Sequence, residues 1–206
     1  EYGRMVVGAR EIAENHTLFF LTITCVGDMT VEDAEKNYLS MSNRLLDACR
    51  VQSKRAGKKM YYAGVTERQK RGHPHSHYLT TFLPKDAFQP CEHYEKYLEC
   101  VMRINEKLPL GKGIRTKSRD EWFLLDYFSE WLVLACHKAG LGVECRISIV
   151  DSVEACSRYV AKYLFKQTAF DVWPKRWKRV RYSQNWPKLP DKKKPAAFAV
   201  VSHWDW

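Results

Sequence analysis

The hydrophobic residues of this chain change period several times, and each change marks an element. Leu18 to Cys25 (L-F-F-L-T-I-T-C) is a run of aliphatic, aromatic and β-branched side chains, which predicts a buried strand. The next apolar positions, Ala34, Tyr38, Met41, Leu45 and Ala48, recur every three or four residues, so the spacing predicts a helix to about Arg55 with one face in the core. Thr30 stands where an N-cap belongs, with Asp33 at the third helical position, and Gly57 ends the helix. Lys59 to Val65 and His75 to Leu83 read as two further strands, the second stopped by Pro84. The polar stretch Arg68 to Gly72 between them makes the pair a hairpin.

Helical patterns return at Cys91 to Leu108 and at Glu121 to Ala139, the latter closed by Gly140, with a basic, glycine-containing loop from Pro109 to Ser118 between them. Val143 to Val150 alternates like a strand with one wet face, and Ser152 is placed to cap a helix from Val153 to about Lys166. The Trp-, Pro- and Lys-rich remainder is expected to hold short strands near Arg179 to Ser183 and Ala197 to Ser202. Hairpins mixed with helices, with no internal repeat or low-complexity linker, argue for one α+β domain over residues 1–206 with a largely antiparallel sheet. A basic, Trp-rich segment at about 167–206 closes it.

Charge narrows the class of partner. The formal net charge is +10, and from Lys166 onward ten Lys or Arg stand against three acids, so most of the excess lies in the last fifth of the chain. A polyanion, nucleic acid first, is the partner such a balance suggests. No apolar run approaches the roughly 20 residues needed to span a bilayer, and the front carries no secretory pattern, so no membrane partner and a cytoplasmic setting are expected. A start at Glu1 rather than Met fits a domain trimmed from a longer chain. The seven cysteines form no C-x-x-C pair, which argues for reduced thiols and against a structural zinc module.

The densest chemistry is Glu67 to His77, E-R-Q-K-R-G-H-P-H-S-H. Residues two apart on a strand share a face, so His75 and His77 present two imidazoles side by side. His73 is in the same phase but sits against Pro74 and the turn. Glu67, at the end of the preceding strand, is placed to reach them across the hairpin. Two imidazoles and a carboxylate would hold a divalent cation, Mn²⁺ or Mg²⁺, and leave positions open for substrate. The same spacing also suits plain exposed histidines.

A second constellation is Arg158 to Lys166, R-Y-V-A-K-Y-L-F-K. Tyr159 and Tyr163 are one helical turn apart, and Lys162 and Lys166 each lie three residues beyond a tyrosine. A neighbouring ammonium favours a phenolate, so the helix is suited to nucleophilic attack on a phosphodiester. Two core tyrosines of an amphipathic helix would give the same spacing.

Together these motifs resemble the HUH superfamily of endonucleases. R-G-H-P-H-S-H resembles its R-G-x-P-H-x-H motif, with Ser76 where a bulky hydrophobic residue usually stands. R-Y-V-A-K-Y-L-F-K is similar to the two-tyrosine motif of rolling-circle replication initiators of single-stranded DNA phages. F-F-L-T-I-T-C resembles the first family motif, and R-V-R-Y-S-Q-N-W-P a basic stretch that often follows the tyrosine helix. The resemblance implies a central antiparallel sheet flanked by helices, with His75, His77 and Glu67 as metal ligands. It also implies Tyr159 and Tyr163 as nucleophiles assisted by Lys162, and nicking and religation of single-stranded DNA through a 5′-phosphotyrosine. The partners it implies are a replication origin, single-stranded or folded as a hairpin, and a host helicase and polymerase in a bacterial cytoplasm. The chain itself contains no G-x-x-x-x-G-K-[ST] helicase motif.

In such an enzyme Lys166, Arg176, Lys178, Arg179 and Arg181 are expected on DNA phosphates. Trp177 and Tyr182, with Trp173 and Trp186, would stack bases, the other reading being a packed C-terminal cap. A two-tyrosine transposase or relaxase would share the chemistry. A non-catalytic basic nucleic-acid-binding module would show neither a metal requirement nor a covalent adduct.

Overall fold

The computed structural model describes residues 2–118, 127–166, 173 and 177–189, apart from the side chains of 2, 157 and 161–166. In chain order the elements are α1 (Tyr2–Ala13), β1 (Phe19–Thr24), α2 (Val31–Arg55), β2 (Tyr62–Arg68), β3 (Pro74–Thr80), α3 (Tyr94–Lys107), α4 (Glu130–Ala139), β4 (Cys145–Ile149), α5 (Val153–Lys166) and β5 (Val180–Tyr182). The strands form a five-stranded sheet in the order β4-β1-β3-β2-β5, every pairing antiparallel. The fold is therefore α+β, a central antiparallel sheet flanked by helices. No described helix is long and apolar enough to cross a membrane.

Both faces of the sheet are covered, which is why its strands are apolar at most positions. Phe19, Leu21 and Ile23 of β1 point into a core shared with Tyr38, Met41, Leu45 and Cys49 of α2 and Leu132 and Cys136 of α4. Alternation sends the other set the opposite way. Ala63, Val65 and Leu79 meet Met5, Ala9 and Ile12 of α1 and Val160 of α5. A third cluster, with Tyr97, Val101 and Ile104 of α3 and Val133 of α4, packs beside the first.

Local chemistry explains the element boundaries. Thr30 caps α2, its hydroxyl accepting from the Asp33 amide at 3.1 Å, and Gly57 follows the helix with φ 70°, a left-handed turn that glycine adopts without strain. Ser152 caps α5, accepting from the Ala155 amide at 3.2 Å. The hairpin forms as expected but is shifted. β2 runs on to Arg68 because its ladder with β3 continues to Arg68 opposite Pro74, while the Thr66 amide donates to the Arg179 carbonyl on its other edge. β3 stops at Thr80 rather than Leu83, because the Thr80 hydroxyl accepts from the Phe82 amide and turns the chain.

Two expectations need correction. Helix α1 is additional to the expected elements, although Met5, Ala9 and Ile12 recur at helical spacing and are buried. The helix expected from Glu121 begins only at Glu130. Tyr127 and Phe128 are extended and bridge Ile147 and Phe88, and Ser129 caps the helix by accepting from the Leu132 amide. The strand expected at Ala197 to Ser202 lies outside the described residues.

Trp186 ties the two ends of the chain together. Its ring is 2% exposed, lies against the backbone of Gly8, and its indole N–H donates to the Arg4 carbonyl at 3.3 Å. A Cβ at position 8 would stand 2.2 Å from the indole nitrogen, so only glycine admits this contact. Trp186→Ala should lower stability by about 3–5 kcal/mol in urea unfolding, the usual cost of emptying a site of this size. A loss below about 1 kcal/mol would mean that the C-terminal segment does not anchor α1.

Candidate active site

Antiparallel register brings the site together. On the face covered by α1 and α5, Glu67 of β2 stands opposite His75 of β3, Thr24 of β1 opposite His75 on the other side, and Thr22 opposite His77. One ligand atom from each of Glu67, His75 and His77 lies within 4.8 Å of the others. His77 Nε2 is 3.2 Å from Glu67 Oε1, and the two imidazole centroids are 4.5 Å apart. His73, by contrast, is outside this group. It is buried at the turn with Nε2 2.7 Å from the Met29 carbonyl oxygen.

The imidazoles are held from behind. His77 stacks on Phe20 at 5.3 Å, and its Nδ1 lies 3.1 Å from the Thr22 hydroxyl, which leaves Nε2 pointing toward Glu67. His75 Nδ1 lies 3.2 Å from Gln69 Nε2, and Gln69 Oε1 accepts in turn from Arg71 Nε at 3.3 Å. Burial, and after it the neighbouring His77, pushes the His75 imidazole down from 6.5 to about 3. It is therefore neutral at physiological pH, the state in which a ring nitrogen can bind a metal.

The donor set fits a divalent cation. Ligand atoms about 2.1 Å from one ion are about 3 Å apart when adjacent and about 4.2 Å when opposite, so small side-chain rotations suffice to close these three on a common point. Ser76, between the two histidines, faces the other side of the sheet. There it is fully buried and shares a 2.8 Å hydrogen bond with the Thr66 hydroxyl, so a polar residue is accommodated where a hydrophobic one was expected.

Helix α5 crosses the same face. Val160 is buried against the sheet, whereas Tyr159 is 46% exposed, its ring 6.0 Å from His77 and 5.5 Å from Phe20. The helical backbone continues through Lys166, so position 163 lies one turn beyond Tyr159. The side chains of Lys162, Tyr163 and Lys166 are outside the described residues. α1 packs beside α5, and Arg10 pairs with Glu154 at 2.7 Å.

The C-terminal residues expected on DNA take several positions. Lys178 is exposed. Arg179 lies over Trp173 at 5.5 Å and donates to the Thr66 carbonyl. Arg181 turns to the α2 face, where its guanidinium donates to Ser42 at 2.7 Å, to Tyr78 and to Asn43, and so fastens β5 to α2. Trp177 stacks on Trp173 at 4.6 Å and on Tyr38 at 6.3 Å, and Tyr182 lies under the Arg4 guanidinium at 4.1 Å. Trp186 is core, which is the packed-cap reading for that residue. Arg176 lies outside the described residues.

Sequence reasoning missed Arg146. It is exposed on β4, opposite Thr22, so a single strand separates it from His77 on the same face. The alternation of C-R-I-S-I already puts Arg146 on the wet face, but nothing in the sequence pairs β4 with β1.

A family model described as a replication-associated protein of the ORF2 type matches residues 18–168, a span that takes in β1, the histidine hairpin and α5. No curated protein and no solved structure matches the chain.

The depressed His75 pKa has a measurable consequence. Between pH 6.5 and about 3 an unfolded chain takes up a proton that folded His75 refuses. The metal-free protein should hold this stability above pH 6.5 and lose it progressively on acidification across that window. Urea titrations at several pH values should show a shallower pH dependence in His75→Asn. Equal slopes for the two proteins would contradict the burial assigned to His75.

Proposed function

Because the chain belongs to this replication-associated protein family, we propose that it nicks and rejoins single-stranded DNA at a replication origin through a covalent phosphotyrosine. The observation that carries this reading is the exposed Tyr159 ring, 6.0 Å from His77, beside three converging metal-type ligands.

Glu67, His75 and His77 would hold the cation, Mn²⁺ or Mg²⁺. Bound there, it supplies polarisation of the scissile phosphate and stabilises charge on the leaving oxygen. The Tyr159 hydroxyl loses its proton and its oxygen attacks phosphorus. The P–O3′ bond breaks, the 5′-phosphate stays on tyrosine, and the 3′ oxygen takes a proton to leave as a hydroxyl that can prime synthesis. Lys162 favours the phenolate or supplies the leaving-group proton. Tyr163 cuts the regenerated origin after one round, and the freed 3′-hydroxyl attacks the first phosphotyrosine, which closes a circle and returns the tyrosine.

Phosphate contacts fall to Lys178 and Arg146 on the exposed surface, with Lys166 and Arg176 added from the sequence. Strand separation and synthesis fall to a host helicase and polymerase. A two-tyrosine transposase or relaxase would use the same groups, and the replication-associated family favours the initiator.

The double variant Tyr159→Phe, Tyr163→Phe should form no covalent adduct with labelled single-stranded DNA and Mn²⁺ on a denaturing gel, while binding DNA within about twofold of wild type. An adduct that persists in the double variant overturns the nucleophile assignment. Mn²⁺ should support adduct formation at least as well as Mg²⁺, since two of the ligands are imidazoles. Inert Mn²⁺ alongside active Mg²⁺ would exclude the His75–His77 pair as the cation site.

A further inference from the structure

Next to the cation ligands lies a second concavity of about 440 Å³, within the range of small-ligand sites. It is joined to the first. Thr24, opposite His75 in the register, and Gln69, which touches His75 Nδ1, both line it. We propose that this cavity is a nucleotide-binding subsite for the strand beside the scissile phosphate, with Arg71 as its phosphate contact. The proposal rests on reading the histidine corner as the nicking centre.

Its lining matches a nucleotide in two respects. The floor, formed by Cys25, Leu141 and Val143, is apolar and suits the face of a base. The rim carries Arg71, Lys112 and His137, which suit a phosphodiester. Arg71 is exposed, and its guanidinium lies close over Gly27, where an added Cβ would stand 3.3 Å from Nη1. Lys112 pairs with Asp28, which ties the 111–113 loop to the turn after β1 and closes one wall. Gly142 forms another. A Cβ there would sit 2.8 Å from the Thr24 hydroxyl and 2.9 Å from the Cys25 carbonyl, so the wall approaches this near only as glycine.

Arg71 also reaches the cation corner indirectly. It donates to Gln69, whose amide meets His75. A phosphate on Arg71 and a cation on His75 therefore touch opposite ends of one short hydrogen-bonded chain. The strand that fills the subsite is registered against the site of cleavage by the same side chain.

The test uses the full chain and a twelve-residue oligothymidylate carrying 5-iodouracil, in EDTA so that binding is read without nicking. Wild type should cross-link at residues 25–28, 111–113 or 141–143. Arg71→Ala should bind about tenfold more weakly, as for a lost charge-assisted contact. Its plot of log affinity against log salt should be shallower by about 0.7, and Arg71→Lys should recover part of the loss. Lys112→Ala, also at an exposed side chain, repeats the measurement should Arg71→Ala fold poorly. Cross-links confined to other segments, or wild-type affinity and salt slope in the alanine variants, overturn the subsite. The two readings fail separately. A wild type that forms no tyrosine adduct yet cross-links at these segments would end the nicking reading and leave the subsite standing.

Discussion

The register of three central strands is the constraint on which everything else rests. Side chains on a strand alternate, so a slip of one residue between β2 and β3 would carry Glu67 away from His75 and bury its charge in the α2 core. The opposite face fixes that register. Thr66 and Ser76 share a buried hydrogen bond there, and Gly64 lies under the Tyr78 ring, where an added Cβ would stand 2.1 Å from Cδ1. A polar pair and a missing side chain, neither chemical in itself, thus hold the ligand set on the face where α5 brings Tyr159.

That face is a compromise between packing and chemistry. Ala63, Val65, Leu79 and Val160 close it as a hydrophobic layer, and only toward the Glu67 end do the side chains become ligands. Partial burial there keeps His75 neutral, and Phe20 shields one side of His77 while touching Tyr159 on its edge. The tyrosine itself remains exposed, as a group that must meet a polymeric strand has to be. Rigid strands carry the ligands and a packed helix carries the nucleophile, so the geometry does not depend on loops.

Much of this was legible from residues alone. Strand β1, the Thr30 and Ser152 caps, the hairpin and the face shared by His75, His77 and Glu67 follow from period and capping chemistry that act over a few residues. What was not legible depends on partners far away in sequence. Tyr127 and Phe128 look helical next to an apolar run, and pairing with Ile147 and Phe88 extends them. Arg181 reads as a phosphate ligand until Ser42 and Asn43 of α2 are seen to receive it. Arg146 becomes interesting only when β4 is found beside β1. Helix α1 is different, since its Met5, Ala9, Ile12 stripe is present in the sequence and readable there.

The central claim is spatial: a divalent cation belongs among Glu67, His75 and His77 on the α5 side of the sheet. Diffraction from crystals grown with Mn²⁺, recorded at the manganese absorption edge, tests it most directly. The account predicts one strong anomalous peak about 2.1–2.3 Å from a nitrogen of each imidazole and from a Glu67 carboxylate oxygen, the bond lengths usual for such ligands. A peak elsewhere, or none at this corner with the imidazoles well ordered, would contradict it.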